Sequence, residues 1–233
     1  MKTQKHNNAS LRELYLNDLS LPDTYHGRTS PKVRHIQAWK EIEPKLKHGT
    51  ALTIDPFGPR DVWVWSDIHF GHKNIIKYTA PFRPFDSWEQ MNDALIANYK
   101  AVVKPDDIVI FGGDIGFMSV NAINAILRSL PGYKIQIVGN HDMDRSGTLM
   151  ELDFDERHLC MVVDVKDDEI DSQLLVSHYP IDNVPRNLFN LHGHIHQNLA
   201  NEWNINMCVE HTGCAPKHIR DVVAMMKTRT WYK

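Results

Sequence analysis

Seven side chains of metal-ligand type stand at the ends of hydrophobic runs: Asp67 and His69 in SDIHFGH, Asp114 in FGGD, Asn140 in VGNHD, His178 in VSHYP, and His194 and His196 in LHGHIH. Carboxylate, amide oxygen and imidazole without thiolate form the donor set of an open catalytic site for Mn, Fe, Ni or Zn, not of a structural zinc knot. Asp67 and His69 are two residues apart, so on extended backbone both would project to one side and reach one ion. Asp114 follows Gly112 and Gly113, which permit a tight turn, and its carboxylate can bridge two cations. Asn140 offers a neutral carbonyl oxygen. His194 and His196 repeat the two-residue spacing after Gly193. Two ions ~3.5–4 Å apart, bridged by Asp114 and a hydroxide, would activate that hydroxide and clamp phosphate oxygens for in-line displacement. Any one of these residues alone reads as a turn former or a surface histidine. The joint occurrence at successive strand ends carries the inference.

The elements that must position them alternate along the chain. Strands are expected at Leu52–Ile54, Val62–Trp65, Ile108–Phe111, Lys134–Val138, around 160–165, at 173–177, at Phe189–Leu191 and at Ile205–Val209. Helices are expected from Ser87 to Val103, where Met91, Leu95 and Tyr99 recur at a spacing of four, from Val120 to Leu130, and from Pro216 to Thr228. Strands with helical crossovers, followed by β-rich sequence, predict an α/β fold with mixed sheets. Residues 1–50 read as a mostly helical extension, with helices over 11–16 and 31–43 around a turn in LPDTYHGRTSP, and residues 51–233 as the catalytic domain.

Bulk properties narrow the class. Apolar residues make up 42% of 233, enough for a sizeable core, and the net charge of −3 argues against a binder driven by electrostatics to nucleic acid or membrane. The charge is uneven: residues 1–50 carry +4 and the rest −7, so the basic arm is a candidate polyanion contact. Cys160, Cys208 and Cys214 fit no zinc or redox spacing and read as free thiols of a reducing compartment. The opening MKTQKHNNASLREL has no continuous apolar stretch and no run approaches a membrane span, so a cytoplasmic location is expected.

DIH, GGD, GNHD, a lone His and GHIH in this order resemble the calcineurin-like metallophosphoesterase superfamily, over residues 60–210. The resemblance is greatest to small bacterial and phage phosphoesterases, which share stretches similar to DIHFGHKNIIKY and to the RPF at Arg83–Phe85. It implies a two-sheet sandwich flanked by helices in four layers. It implies that Asp67, His69, Asp114 and His196 hold one ion and that Asp114, Asn140, His178 and His194 hold the other, with Mn first among the metals. His141 is similar to the family's non-ligand histidine, which protonates the leaving oxygen or steadies the transition state, work suited to an imidazole; Asp142 would orient it. Protein serine/threonine phosphatases of the superfamily have a downstream DRG and GNHE, whereas this chain has GGDIGFMS and GNHD. The repair nucleases share GNHD and GHIH but add a DNA-capping domain, and only a short tail follows the last strand here.

Around the ligands, His72 and Asn74 are candidate substrate contacts and Arg83 a candidate phosphate clamp, since guanidinium matches phosphate bidentately. His192 is expected behind the ligands, supporting them. Glu210 and His211 are expected along the same edge, and Trp63 and Trp65 in the core. The expected activity is a dinuclear metal-dependent phosphodiesterase acting on nucleotides or cyclic nucleotides. A DNA or RNA nuclease using the basic arm, a phosphomonoesterase and a non-catalytic scaffold are the alternatives. Oligomeric state is left open.

Overall fold

Along Val62–Trp65 and Ile108–Phe111, successive side chains enter two different cores. Val62, Val64 and Ile110 join one apolar cluster, and Trp65, Val109 and Phe111 join another. That is the period-two pleat of a sheet buried on both faces. The structure is a computed structural model, and it describes residues 58–144, 146–166, 168–181 and 188–229, together with three two-residue strands nearer the start of the chain. Of those three, β1 (Thr24–Tyr25) and β2 (Arg28–Thr29) form an antiparallel ladder within the segment read as a turn, and β3 is Leu52–Thr53. The helices expected over 11–16 and 31–43 lie outside the described residues.

The main strands are β4 (Val62–Trp65), β5 (Ile108–Phe111), β6 (Tyr133–Ile137), β7 (Glu156–His158), β8 (Cys160–Lys166), β9 (Asp171–Ser177), β10 (Leu188–His192), β11 (Asn204–Asn206) and β12 (Lys217–His218). One sheet runs β12-β4-β5-β6-β7, parallel except for β12. The other runs β11-β10-β9-β8-β3, with β8 antiparallel to β9 and the remaining pairs parallel. Val64, Ile110 and Ile137 from the first sheet share one cluster with Val163, Val176 and Leu191 from the second, so the two mixed sheets are packed on each other.

Helices α1 (Ile75–Tyr78), α2 (Trp88–Val102), α3 (Val120–Ser129), α4 (Val209–Thr212) and α5 (Ile219–Lys227) complete the described elements. In α2, the Ser87 side chain accepts from the Gln90 N–H, capping the first turn. Met91, Leu95 and Tyr99 are fully buried against Trp65 and Phe111, and burying Met91 and Leu95 stabilises by about 1.5–3 kcal/mol each. The α3 helix adds Ile123 and Leu127 to the same face. Helix α5 instead joins the cluster between the sheets through Ile219, Val222, Val223 and Met226. On the outer face of the second sheet Leu175 and Ile181 pack with Val162, Tyr179 and Leu188.

Two boundaries differ from expectation by three residues. The strand expected through Val209 ends at Asn206, because Val209 starts α4, and the helix expected from Pro216 is preceded by β12. None of the described helices is long and apolar enough to cross a membrane.

Candidate metal centre

Each of the seven residues lies just past the carboxyl end of a strand: Asp67 and His69 after β4, Asp114 after β5, Asn140 after β6, His178 after β9, and His194 and His196 after β10. The carboxyl edge of a parallel sheet is where such folds place ligands. Backbone hydrogen bonds continue past the strands, from Asp67 N to Gly113 O (3.0 Å), His69 N to Asp114 O (3.1 Å) and Phe70 N to Ile115 O (2.9 Å). They tie the first two ligand loops together.

The backbone there is not extended, contrary to the geometry inferred from the spacing of Asp67 and His69. Among the described residues, six other than glycine have positive φ, and five of them are Asp67 (55°), His69 (55°), Asp114 (55°), His194 (70°) and His196 (51°); the sixth is Cys214. A left-handed conformation costs an L-residue on the order of 1 kcal/mol or more, and such strain gathers at functional sites. On this backbone Asp67 Oδ1 lies 3.8 Å from His69 Nε2, whereas His194 and His196 go to different donor groups.

The donor atoms fall into two groups. One is Asp67, His69 and His196, the other Asp114, His178 and His194, and within each group the atoms lie within 4.8 Å of one another. Asp114 stands between the groups. Its Oδ2 is 3.8 Å from His69 Nε2, and its Oδ1 is 3.5 Å from His178 Nε2. Asn140 Oδ1 lies 2.9 Å from the same His178 Nε2. His178 Nδ1 faces the Gly112 carbonyl at 2.8 Å, which assigns the ring proton to Nδ1 and leaves a lone pair on Nε2. Three electron-rich atoms then face one another, as donors around a cation do.

Asp67 shows the same fit. Its Oδ2 accepts from Ser66 Oγ (2.6 Å), His194 N (2.8 Å) and Cys208 Sγ (3.2 Å). Its Oδ1 and both ring nitrogens of His69 are buried without a hydrogen-bond partner among the described residues. Buried polar atoms are ordinarily satisfied, so such a group calls for an ion or water. Glycine is required beside them: a Cβ at Gly193 would strike Asp67 Oδ2, and one at Gly139 would strike Asp114 Oδ1.

Protonation tendencies agree. Burial pushes His69 well below the usual imidazole range, with the nearby Arg83 adding to it. Burial, followed by His178, brings His194 down to about 3, so both rings stay neutral and keep their lone pairs. Burial and the neighbouring charges of Asp67 and Asp142 push Asp114 well above the carboxylate range. A bound cation would reverse that repulsion.

Several candidates have other tasks than expected. Arg83 is 1% exposed and wholly engaged. Its Nε donates to Glu210 Oε1 (2.7 Å), Nη1 to Ile68 O (2.8 Å) and Nη2 to Asp67 O (2.5 Å). It is a clamp on the Asp67 loop and does not reach out to grip phosphate. Glu210 also faces His196 Nδ1 at 3.2 Å, the carboxylate–histidine arrangement that orients a ligand. Burial pushes Glu210 up, but the bonds from His196 and Arg83 outweigh it and bring it down to about 2.

Asp142 does not serve to orient His141. Its buried carboxylate accepts from Gly139 N (2.8 Å), Ile115 N (2.9 Å) and Asp114 N (3.1 Å). It staples the GGD and GNHD loops, and burial raises it to about 6 against the pull of those bonds. His141 itself is exposed, with its N–H held by Asp114 Oδ1 at 2.8 Å and its ring 5.8 Å from that of His69.

His72 lies near the site, its ring centroid 5.5 Å from His69. Asn74 is exposed on the next turn and opens α1 without a side-chain cap. His192 is fully buried, with Nδ1 on the Gly193 carbonyl. Trp65 is in the core as expected, and Trp63 is half-buried, donating to Asp107 Oδ2 (2.9 Å). Two aromatic rings went unnoticed in the sequence. Tyr179 packs 4.2 Å from His194, and Phe117 lies 4.7 Å from His141 and 5.3 Å from His69. Their positions next to His178 and three residues past Asp114 were the available signal.

No family model matches the chain. An uncharacterized protein of Methanocaldococcus jannaschii is 45% identical over 85 residues, which is 36% of this chain and 47% of that protein. The chain thus spans about half the length of that relative. The crystal structure of a protein of unknown function from Aquifex aeolicus is similar with a TM-score of 0.56 and 27% identity, covering 71% of this chain and 99% of that one. The similarity supports a mixed α/β fold with two mixed sheets.

Proposed function

We propose that the chain is a dinuclear metal-dependent phosphoesterase of the calcineurin-like metallophosphoesterase type, hydrolysing phosphodiesters of nucleotide character. The observation that carries this is the pair of three-residue donor groups joined through the two oxygens of Asp114. The packing of two mixed sheets, with every donor past a strand end, supports the superfamily reading. Asp67, His69 and His196 would hold one cation, and His178, His194 and Asn140 the other, with Asp114 shared. Cations bound there would supply positive charge to phosphate oxygens and acidify water.

The chain's own groups do the rest. Arg83 and Glu210 fix the Asp67 loop and the His196 tautomer, so that His196 Nε2 points away from the carboxylate. Asp142 holds the Asp114 and Gly139 backbone in register. His141, exposed beside the donor groups, holds a proton on its ring for the departing oxygen, a contribution of about 10²–10⁴-fold.

The test is hydrolysis of bis-p-nitrophenyl phosphate after chelation and reloading with Mn, Ni, Fe or Zn. Hydrolysis is expected with Mn. Asp114→Ala and Asn140→Ala each lose more than about 10²-fold, the upper end of what losing a mere supporting group costs. His141→Ala loses rate while its metal content, measured by elemental analysis, stays that of the unmodified protein. Absence of hydrolysis with all four metals sinks the proposal. Mononucleotides, cyclic nucleotides and dinucleotides in the same screen separate diester from monoester preference.

A further inference from the structure

Beside the donor groups runs a row of rings. Phe117 stacks at 5.3 Å on His69 and lies 4.7 Å from His141. His72 meets Phe117 at 4.3 Å and Tyr78 at 6.3 Å. The row leads outward: Phe117 is 44% exposed and Tyr78 is 66% exposed. Single exposed aromatics are ordinary, but here they form a connected line that begins at the candidate catalytic histidine.

The row is also rigidly mounted. Phe117 N donates to Phe70 O (2.8 Å), and Asn92, buried on α2, accepts from Gly71 N (3.1 Å). Fully buried Phe70 and buried Thr79 anchor the two ends of the segment that carries His72 and Tyr78, with Ile75 buried between them. Lys73 and Lys77 are exposed on the same segment. Aromatic faces interleaved with cations, mounted on fixed backbone, suit a planar base attached to phosphate. Stacking would hold the base while the donor groups take its phosphate. A purely aliphatic alcohol would leave the rings wet.

We propose that Phe117, His72 and Tyr78 form a stacking platform for the base of a nucleotide whose phosphate lies at the donor groups. The proposal rests on the phosphoesterase reading above and names the part of the substrate that this chain recognises.

The experiment measures calorimetric binding of adenosine 5′-monophosphate and of methyl phosphate to the Mn-loaded protein, alongside hydrolysis of bis-p-nitrophenyl phosphate. The nucleotide is expected to bind about tenfold more tightly than methyl phosphate, the scale of one stacked base. That gap should shrink to less than about threefold in Phe117→Ala and narrow in Tyr78→Ala, while Phe117→Trp keeps it. Tyr78→Ala carries the test if Phe117→Ala fails to fold, since Tyr78 lies largely in solvent. Equal binding of the two ligands by the unmodified protein overturns the platform, and so does a gap unmoved by the substitutions. If bis-p-nitrophenyl phosphate is hydrolysed in that case, the platform alone fails. If it is not hydrolysed with any metal, the phosphoesterase reading fails with it.

Discussion

The two edges of the β12-β4-β5-β6-β7 sheet carry similar residue types and treat them in opposite ways. At the amino edge, Arg60, Asp106, Tyr133, Lys134 and Asp155 line an open groove. Arg60 Nε donates to Asp106 O (2.7 Å), Lys134 N to Asp155 Oδ2 (2.7 Å), and Tyr133 Oη to Glu156 Oε1 (2.8 Å). At the carboxyl edge, Asp67 Oδ1 and both His69 nitrogens are buried without such partners among the described residues, on left-handed backbone. Charged residues alone therefore do not mark a site. What marks it is strain and unmet polarity that the rest of the fold holds in place.

That contrast can be broken most forcefully at Arg83. Removing a buried guanidinium leaves Glu210 charged and uncompensated, so Arg83→Ala should cost about 3–5 kcal/mol in denaturant unfolding. A cost below about 1 kcal/mol would put the carboxyl edge on the level of an exposed ion pair.

The next effect is seen in acid. Glu210 sits at about 2, below its ordinary 4.5, so its bonds contribute stability that is fully present above about 4.5 and is lost as pH falls toward 2. The shift is worth about 3 kcal/mol. Glu210→Gln should flatten this part of the acid limb in unfolding measured from pH 5 to 2. A variant that keeps the unmodified protein's acid sensitivity would show that other carboxylates set it.

The smallest effect belongs to the amino edge. Lys104 Nζ pairs with Asp61 at 3.2 Å in the open, and Lys104→Ala should change stability by less than about 1 kcal/mol and leave the proposed hydrolysis of bis-p-nitrophenyl phosphate untouched. A large loss of either would erase the distinction between the edges.

How much of this was legible depends on how local each cause is. The runs at 62–65 and 108–111 announce buried strands by composition, and α2 announces itself by spacing and its serine cap. The ligand types at strand ends were legible for the same reason. Arg83 was misread because its partner Glu210 lies 127 residues away, and nothing beside APFRPF hints at it. Asp142 was assigned to its sequence neighbour, yet two of its three N–H donors come from the loop after β5. The left-handed φ values at Asp67 and His69 are uncommon for any L-residue, although Asp and His adopt them more readily than most, and they occur where the two loops pair. Phe117 was passed over because only the folded loop shows it lying over histidines. The short β7 and β12 exist through their ladders with β6 and β4, which no short sequence window contains.

The clamp of Arg83 on the Asp67 and Ile68 carbonyls and on Glu210 bears on how a cation would arrive. Small zinc domains fold around their metal and unfold without it. Here the loop that carries Asp67 and His69 is closed by a protein cation, which would assemble the proposed donors before an ion enters. Most of the entropy of ordering them would be spent during folding, and an incoming ion would meet a finished cage. Metal loading then becomes a matter of desolvating the ion and matching its radius to fixed donors. Chelation should strip the ions and leave the chain folded, ready to be refilled.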